Sequence, residues 1–423
     1  MSTVFGAINA ALDAVVTAIF SGLGLLVPAV YAAQPFWIRA LIALAAIGVA
    51  GWMFRKIGQV LSKNRPYFRD MTFGVAYGFA FAVWALGATA HLFFIVENPF
   101  FRWAIQLLIV FAIAAFLFRL LGRGVGTTGS RKLFRGMPLT AAFGILIILI
   151  YAFVAIFAAA IAPYGQEQVL ANANIVPGGN PATGGDPAYP LGTDQIGRDI
   201  LSRLIFGAQN TVGIAFVTTC LAFFLGGSLG FLAATLGGWL DQLLSRIVDA
   251  LMAIPALIFA LLLMTIATAY AQGERTQVTL YMILIIAVID STRVFRLSRA
   301  VGQSIVVMDY IEAARLRGEG LGYLVFREML PNAYAPLLAE FGLRFCFVFL
   351  TIASLSFLGV GIQPPFADWG TMVRDLSQFI NFAAFAPNVA VTPLLAAGAI
   401  ALLTVAVNFV VDWMLHRSSG LKE

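Results

Sequence analysis

Asp309-Tyr-Ile-Glu-Ala-Ala-Arg-Leu-Arg-Gly-Glu-Gly-Leu-Gly-Tyr-Leu-Val-Phe-Arg-Glu-Met-Leu-Pro-Asn332 is the longest polar, charge-bearing run in the C-terminal half of a very apolar chain. Asp309 and Glu312 have the spacing of a capping box, which predicts a short helix beginning there. Gly318, Gly320 and Gly322 supply positions that stop a helix and turn the chain. A second short helix from Leu321 would run into Pro331, which lacks the N–H that a helix interior uses. The loop 305–334 therefore reads as a small helix–turn–helix between two apolar segments, and as a docking surface for another protein.

What surrounds it is membrane-like. Of the 423 residues, 61% are hydrophobic and 11% are charged, with a mean hydropathy of +0.92. Soluble domains carry about 25% charged residues. A chain this apolar cannot hide its hydrophobic surface in one water-soluble core, so the bilayer is its solvent. The expected fold is an all-α integral membrane protein. The net charge of +6 suits loops facing anionic lipid and calls for no nucleic acid. Cys220 and Cys346 both fall in apolar segments, which argues against a disulfide or a metal site. No basic residue precedes the first apolar run, so no cleavable signal peptide is expected.

Working outward along the chain, about ten transmembrane helices are predicted. They cover 5–33, 36–54, 72–96, 101–121, 139–162, 207–236, 243–270, 277–295, 336–360 and 390–414. The first of these has the alternative of lying along the membrane interface. A basic, glycine-containing linker at 122–138 separates an N-terminal block, 1–121, from the segment 139–423. Two polar stretches, 163–206 and 361–389, break the second half. With the 55–70 loop placed inside, twenty of the 26 Lys and Arg residues fall on the inner side and six outside. That bias satisfies the positive-inside rule. It predicts cytoplasmic termini and a cytoplasmic 305–334 loop, with 163–206 and 361–389 outside.

Enzymatic signatures are absent from the sequence. No lysine follows a glycine, so there is no Gly-x-x-x-x-Gly-Lys phosphate loop, and His91 and His416 are the only histidines. Transport, signalling or scaffolding remain. A secondary transporter or channel working alone would need polar groups at mid-membrane, and these are sparse.

Three stretches carry a family resemblance. Glu312-Ala313-Ala314, with Gly318 six residues after the Glu and then Leu330-Pro331-Asn332, resembles the EAA loop of bacterial ABC importer permeases. Pro190-Leu-Gly-Thr-Asp194-Gln-Ile-Gly197-Arg198-Asp199-Ile-Leu-Ser-Arg203 is similar to the segment before the second conserved span of dipeptide/oligopeptide/nickel permeases of the DppC/OppC kind. Ser356-Phe-Leu-Gly-Val-Gly-Ile-Gln-Pro-Pro365, followed by Trp369-Gly370, resembles that subfamily's next signature. The resemblance covers about 139–423. One position departs: the family often has His where this chain has Glu328.

The resemblance implies a type I ABC importer permease core formed by the C-terminal six spans, in the bacterial inner membrane. It implies a homologous second permease subunit of the DppB/OppB kind, two ATPase subunits that hold ATP and Mg, and an extracytoplasmic substrate-binding protein. This chain itself would hold no cofactor. ATPase coupling would fall to Glu312, Ala313, Ala314, Arg315, Arg317, Gly318, Glu328, Leu330, Pro331 and Asn332. Peptides or similar small solutes are the substrate class that it favours.

Each residue also has a plainer reading. Glu312 serves equally as a capping-box residue, Ala313 and Ala314 as helix formers that leave a low-profile surface, and Gly318 as a helix C-cap. Arg315 and Arg317 read as a solvated cationic face. Asp194, Arg198 and Asp199 read as helix-start residues at the outer interface, with a binding-protein contact as the alternative. Trp369 reads as an interfacial aromatic anchor rather than a substrate contact. Asp290 with Arg293, and Glu340 with Arg344, have the spacing of local helical ion pairs, which is preferred here to a proton relay. Asp13 has no partner within its segment. Block 1–121 is expected to bind an accessory subunit or stabilise the complex, or else to be an extension without a transport role.

Overall fold

The computed structural model describes residues 36–61, 72–82, 99–124, 131, 133–134, 136–170, 172–382 and 386–418. Contacts divide the chain into two units, 1–109 and 110–423. In the first unit, helix α1 (Phe36–Leu61) continues beyond residue 54, where its span was expected to end. It packs on α2 (Phe73–Ala82). Gly51 allows this approach, since a Cβ there would sit 3.1 Å from the Ala76 carbonyl oxygen. Phe54 stacks on Phe79 at 5.1 Å. Helix α3 (Pro99–Gly124) runs across the division between the units.

The second unit is built from long apolar helices. They are α4 (Leu139–Ile161), α5 (Ile200–Leu236), α8 (Arg275–Val306), α10 (Leu321–Phe357) and α12 (Thr392–Arg417), each long and apolar enough to cross a membrane. Two shorter helices, α6 (Gly238–Met252) and α7 (Ala256–Tyr270), meet at an 88° bend. The break falls at Pro255, whose ring cannot continue the preceding helix. The single span expected at 243–270 is therefore a bent pair. Counting that pair once gives six candidate spans among the described residues, and the expected ten are not confirmed. The span expected at 5–33, with Asp13, lies outside the described residues.

Packing follows small residues. Gly226 and Gly230 lie four apart on α5 and face α8. A Cβ on Gly230 would stand 2.7 Å from the Phe295 carbonyl oxygen, and one on Gly226 would strike that of Ser291. This is the close backbone approach that small-x-x-x-small spacing permits in lipid. Gly144 brings α4 onto the Ala406 backbone of α12 in the same way. The main core gathers Met264, Met282, Ile286, Phe349 and Trp369 from α7, α8, α10 and α11 (Trp369–Leu376).

Two long helices carry π-helical turns, at Ala208–Val212 in α5 and Leu324–Met329 in α10. The second corrects the helix–turn–helix expectation. Pro331 does not stop the helix that starts at Leu321, which continues into the span. Within the π turn the Leu330 N–H bonds five residues back, to Val325. In that register the carbonyl that Pro331 leaves without a donor changes, and the proline is absorbed at the first turn of the following α-helical segment.

Candidate functional site

The opening stretch forms one end of the helical unit. Helix α9 (Asp309–Leu316) starts after Met308, whose extended backbone (φ −81°, ψ 142°) makes it the capping residue, with no side-chain cap. The expected capping box is therefore not formed, because Asp309 is already helical. Asp309 and Glu312 instead occupy the first turn, where their charge complements the helix dipole. The other end closes as expected. Gly318 adopts φ +83°. Its N–H reaches the Arg315 carbonyl at 2.9 Å and the Glu319 N–H reaches Ala314 at 3.2 Å. These are the two bonds of a Schellman motif.

The faces of α9 divide sharply. Ile311 and Ala314 are fully buried and pack in one cluster with Phe231, Leu324, Met329 and Ala333. Ala314, expected on the low-profile surface, is thus a packing residue. Glu312, Ala313, Arg315, Arg317 and Gly318 are exposed, as are Leu330, Pro331 and Asn332 on α10. Arg315 Nη2 donates to the Thr235 carbonyl oxygen at 3.4 Å, tying α9 to the end of α5. Arg317 lies 3.8 Å from Glu328 and 4.0 Å from Glu319. The departing position, Glu328, therefore has an arginine partner. Asn332 Nδ2 donates to the Glu328 carbonyl at 2.7 Å, closing the backbone just after the π turn. Leu316 and Phe326, passed over in the sequence, are 83% and 61% exposed on this end. An apolar side chain inside an otherwise polar run was the signal that marked Leu316.

At the opposite end, the two other motif stretches meet. Asp194 accepts from the Arg198 backbone N–H at 2.9 Å and from Arg198 Nε at 2.7 Å, with Arg203 at 3.8 Å. Gly197 turns the chain at φ +84°. Asp199 caps α5, accepting from Ser202 N at 2.7 Å and Ser202 Oγ at 2.6 Å. Its reading as a helix-start residue holds, but Asp194, Arg198 and Asp199 are all buried. Arg203 crosses to the other polar stretch, donating to Gln166 and Pro365 carbonyls at 3.1 and 3.2 Å. Asn210 and Thr211, on the α5 π turn, bond Ala367 O at 2.7 Å and Asp368 Oδ1 at 2.9 Å.

Asp368 in turn caps α11, accepting from Thr371 N at 2.8 Å. Complete burial pushes its carboxyl above the ordinary value of 3.8, against the pull of its hydrogen-bond donors. Trp369 is 2% exposed. It donates from Nε1 to the Leu204 carbonyl at 2.9 Å and sits edge-on to Tyr151 and Phe349. It is a core residue and not the interfacial anchor expected. Gly370 packs directly on the Ala353 backbone, where a Cβ has no room. The whole set braces the two polar stretches against each other. Sequence reading found Asp194, Asp199 and Trp369 but missed Gln166, Asn210, Thr211 and Asp368. Their partners lie more than 150 residues away, or across an unstructured-looking loop, so spacing carried no signal.

Between the ends, the expected local ion pairs form only in part. Arg344 pairs with Glu340 at 2.7 Å, as the i, i+4 spacing predicts. Asp290 pairs across helices with Arg344, at 3.6 Å, while Arg293 and Arg344 both lie over the Phe347 ring. The helix crossing brings Arg344 closer to Asp290 than Arg293 comes.

Known proteins resemble this chain in sequence. Residues 226–419 match the family described as binding-protein-dependent transport system inner membrane component. The dipeptide transport system permease protein DppC of Haemophilus influenzae is 35% identical over 245 residues, 57% of this chain and 79% of that one. The di/tripeptide transport system permease protein DppC of Pseudomonas aeruginosa is 34% identical, over 57% of this chain and 76% of its own length. The glutathione transport system permease protein GsiD of Pectobacterium atrosepticum is 30% identical, with 60% of this chain and 79% of that protein covered.

Proposed function

This chain belongs to the DppC/OppC-like permease subunits of binding-protein-dependent ABC importers, and from that premise we propose how its two ends divide the task. The chain is a multi-pass inner-membrane permease, and its family works with a substrate-binding protein and ATPase partners. On the reading advanced here, the α9 end is cytoplasmic. It receives two ATPase subunits, which hold ATP and Mg, and both termini lie on the same side. A homologous second permease subunit completes the path. Peptides or similar small solutes are the substrate class, as in the names of the relatives.

The observation that carries this reading is the mounting of α9. It is capped by a Schellman turn at one end, seated on Ile311 and Ala314, and joined directly to two long helices, α8 and α10. Such a piece moves as a rigid body and passes its motion to both spans. Glu312, Ala313, Arg315, Arg317 and Gly318 supply its outward surface. Ala314 and the Glu328–Arg317 pair hold its shape, and Leu330, Pro331 and Asn332 supply the neighbouring edge. Asp194, Gly197, Arg198, Asp199, Trp369 and Gly370 brace the outer end, where the binding protein would dock. The test is co-purification of tagged chain with ATPase subunits, together with uptake by Glu312→Arg. Loss of uptake with the complex intact supports the reading. Retained uptake, or a chain that brings down no ATPase, refutes it.

The block 1–121, followed by the linker 122–138, is proposed as an addition to the permease core at 139–423. Its role would be to bind an accessory subunit or stabilise the complex. Deleting 1–121 with unchanged assembly and uptake would remove that role.

A further inference from the structure

Helix α6 belongs to neither end site, yet it is built with two apolar faces. Leu244, Val248 and Met252, four apart, pack inward on Ala233 and Phe295. Trp239, Leu243 and Ile247, also four apart and therefore in one line along the helix, are 75%, 47% and 48% exposed. No described segment of the chain covers them. We propose that α6 is an in-plane membrane anchor whose exposed face binds an anionic lipid leaflet at the α9 end.

Orientation argues for lipid. α6 leaves the end of α5 through Gly237 and Gly238, at φ +61° and +62°, a sharp turn open to glycine and strained for other residues. At its far end it meets the apolar helix α7 at 88°. With α7 along the bilayer normal, α6 lies in the bilayer plane. Its place at the α9 end follows from its neighbours: it begins beside Thr235, which Arg315 of α9 contacts. A helix in that plane with one exposed apolar line headed by a tryptophan matches an interfacial helix.

Charge selects the lipid. Asp241 is held by a two-pronged pair with Arg299 of α8, including Nη2 to Oδ2 at 2.6 Å. Asp249 acts electrostatically on the same arginine. Asp241 is thus engaged with the protein, while Asp249 is exposed and forms no ion pair among the described residues. Arg246, adjacent to the exposed apolar line, and Arg296, whose Nη1 lies 3.8 Å from Met252 Sδ, are exposed. Neither has a carboxylate partner among the described residues. Arg246 beside the exposed apolar line, with Arg296 of α8 at the Met252 end of α6, offers guanidinium groups that complement anionic phosphates. Because Arg299 ties α6 to α8, and α8 leads into α9, the anchor would join the moving end to the lipid surface.

The assembled transporter in nanodiscs tests this. In a Cys220→Ser background, with Cys346 buried, Leu243→Cys carries a spin label, and Ile247→Cys serves as a second position should the first fail to assemble. Collision with lipid-soluble oxygen should dominate over an aqueous nickel chelate, placing the label about 5–10 Å below the headgroups. Nickel-dominated collision overturns the proposal, and so does shielding from both probes, which would mean a protein covers the face. In discs of mixed phosphatidylglycerol and phosphatidylcholine, Arg246→Gln and Arg296→Gln should each lower retention of phosphatidylglycerol on the purified complex about fivefold. Unchanged retention in both variants would overturn the anionic preference.

Discussion

Gly318 offers the sharpest quantitative test of the rigid-lever reading. Its φ of +83° lies in the left-handed region, and a Cβ built there meets nothing within 4 Å. Steric crowding is thus removed from the comparison, and only backbone conformation remains. Alanine at such a position costs about 1–2 kcal/mol, which is roughly 5–30-fold in the population of the capped state. Asparagine tolerates this conformation better and should lose less, whereas valine, branched at Cβ, should lose most. Released from its cap, α9 would no longer present Glu312 and Arg315 in one orientation. Proteoliposomes holding the complete transporter should show solute taken up per ATP hydrolysed falling in the order Gly318, Asn, Ala, Val. Unaltered coupling in Gly318→Ala, or equal loss in Asn and Val, would refute the argument that the left-handed cap fixes the lever.

Three further outcomes follow from the geometry. Gly230→Ala should destabilise the α5–α8 crossing by about 1–3 kcal/mol, because its Cβ would meet the Phe295 carbonyl at 2.7 Å. Gly213→Ala, in the same helix with nothing within 4 Å, should raise thermal stability by about 0.5–1 kcal/mol. Melting curves in detergent that move both variants the same way would contradict this. Arg344→Leu leaves Asp290 and Glu340 without their cation and should cost about 3–5 kcal/mol, recovered in part by adding Asp290→Leu and further by adding Glu340→Gln; no recovery on adding Asp290→Leu would exclude the pairing at 3.6 Å. Asp368 holds its proton more tightly when folded, since burial raises its carboxyl above 3.8. Its contribution to stability is therefore full below 3.8 and declines as pH rises through the raised value. In Asp368→Asn, melting temperature should lose that part of its slope above pH 3.8, and an unchanged slope would argue against a buried carboxyl there.

Much of the fold was legible in the chain. Apolar runs long enough to span are a composition property, and 139–162, 207–236, 277–295 and 390–414 all fall within or close to observed helices. Gly318 announced its turn because only glycine adopts that backbone freely. Elsewhere local rules failed for identifiable reasons. Pro331 read as a stop, but a π turn before it shifted the hydrogen-bond register. Asp309 read as a cap, but the helix began one residue sooner. Gly226 and Gly230 carried a visible small-x-x-x-small spacing that the span count did not use.

The division between sequence and tertiary structure follows the range of the forces involved. Hydropathy, motif order and the polar run at 309–332 are local; hydropathy marked a membrane protein and the motifs its resemblance to a permease family, while the partner-facing role of the loop is a proposal. Which face of each element is covered depends on helices distant in the chain. Ala313 and Ala314 are neighbours of the same type, yet only Ala314 is buried, because α5 and α10 close over one side of α9. Trp369 left its expected place at the interface because Leu204, some 165 residues earlier, offered its indole a buried acceptor. Asp194 and Arg198 sit in the sequence like solvent-facing charges and in the fold like a core pair, since the 172–175 backbone bonds beside them and Arg203, which also reaches Pro365 of the second polar stretch, lies against Asp194. Only the packed structure supplies the neighbours that decide between exposure and burial.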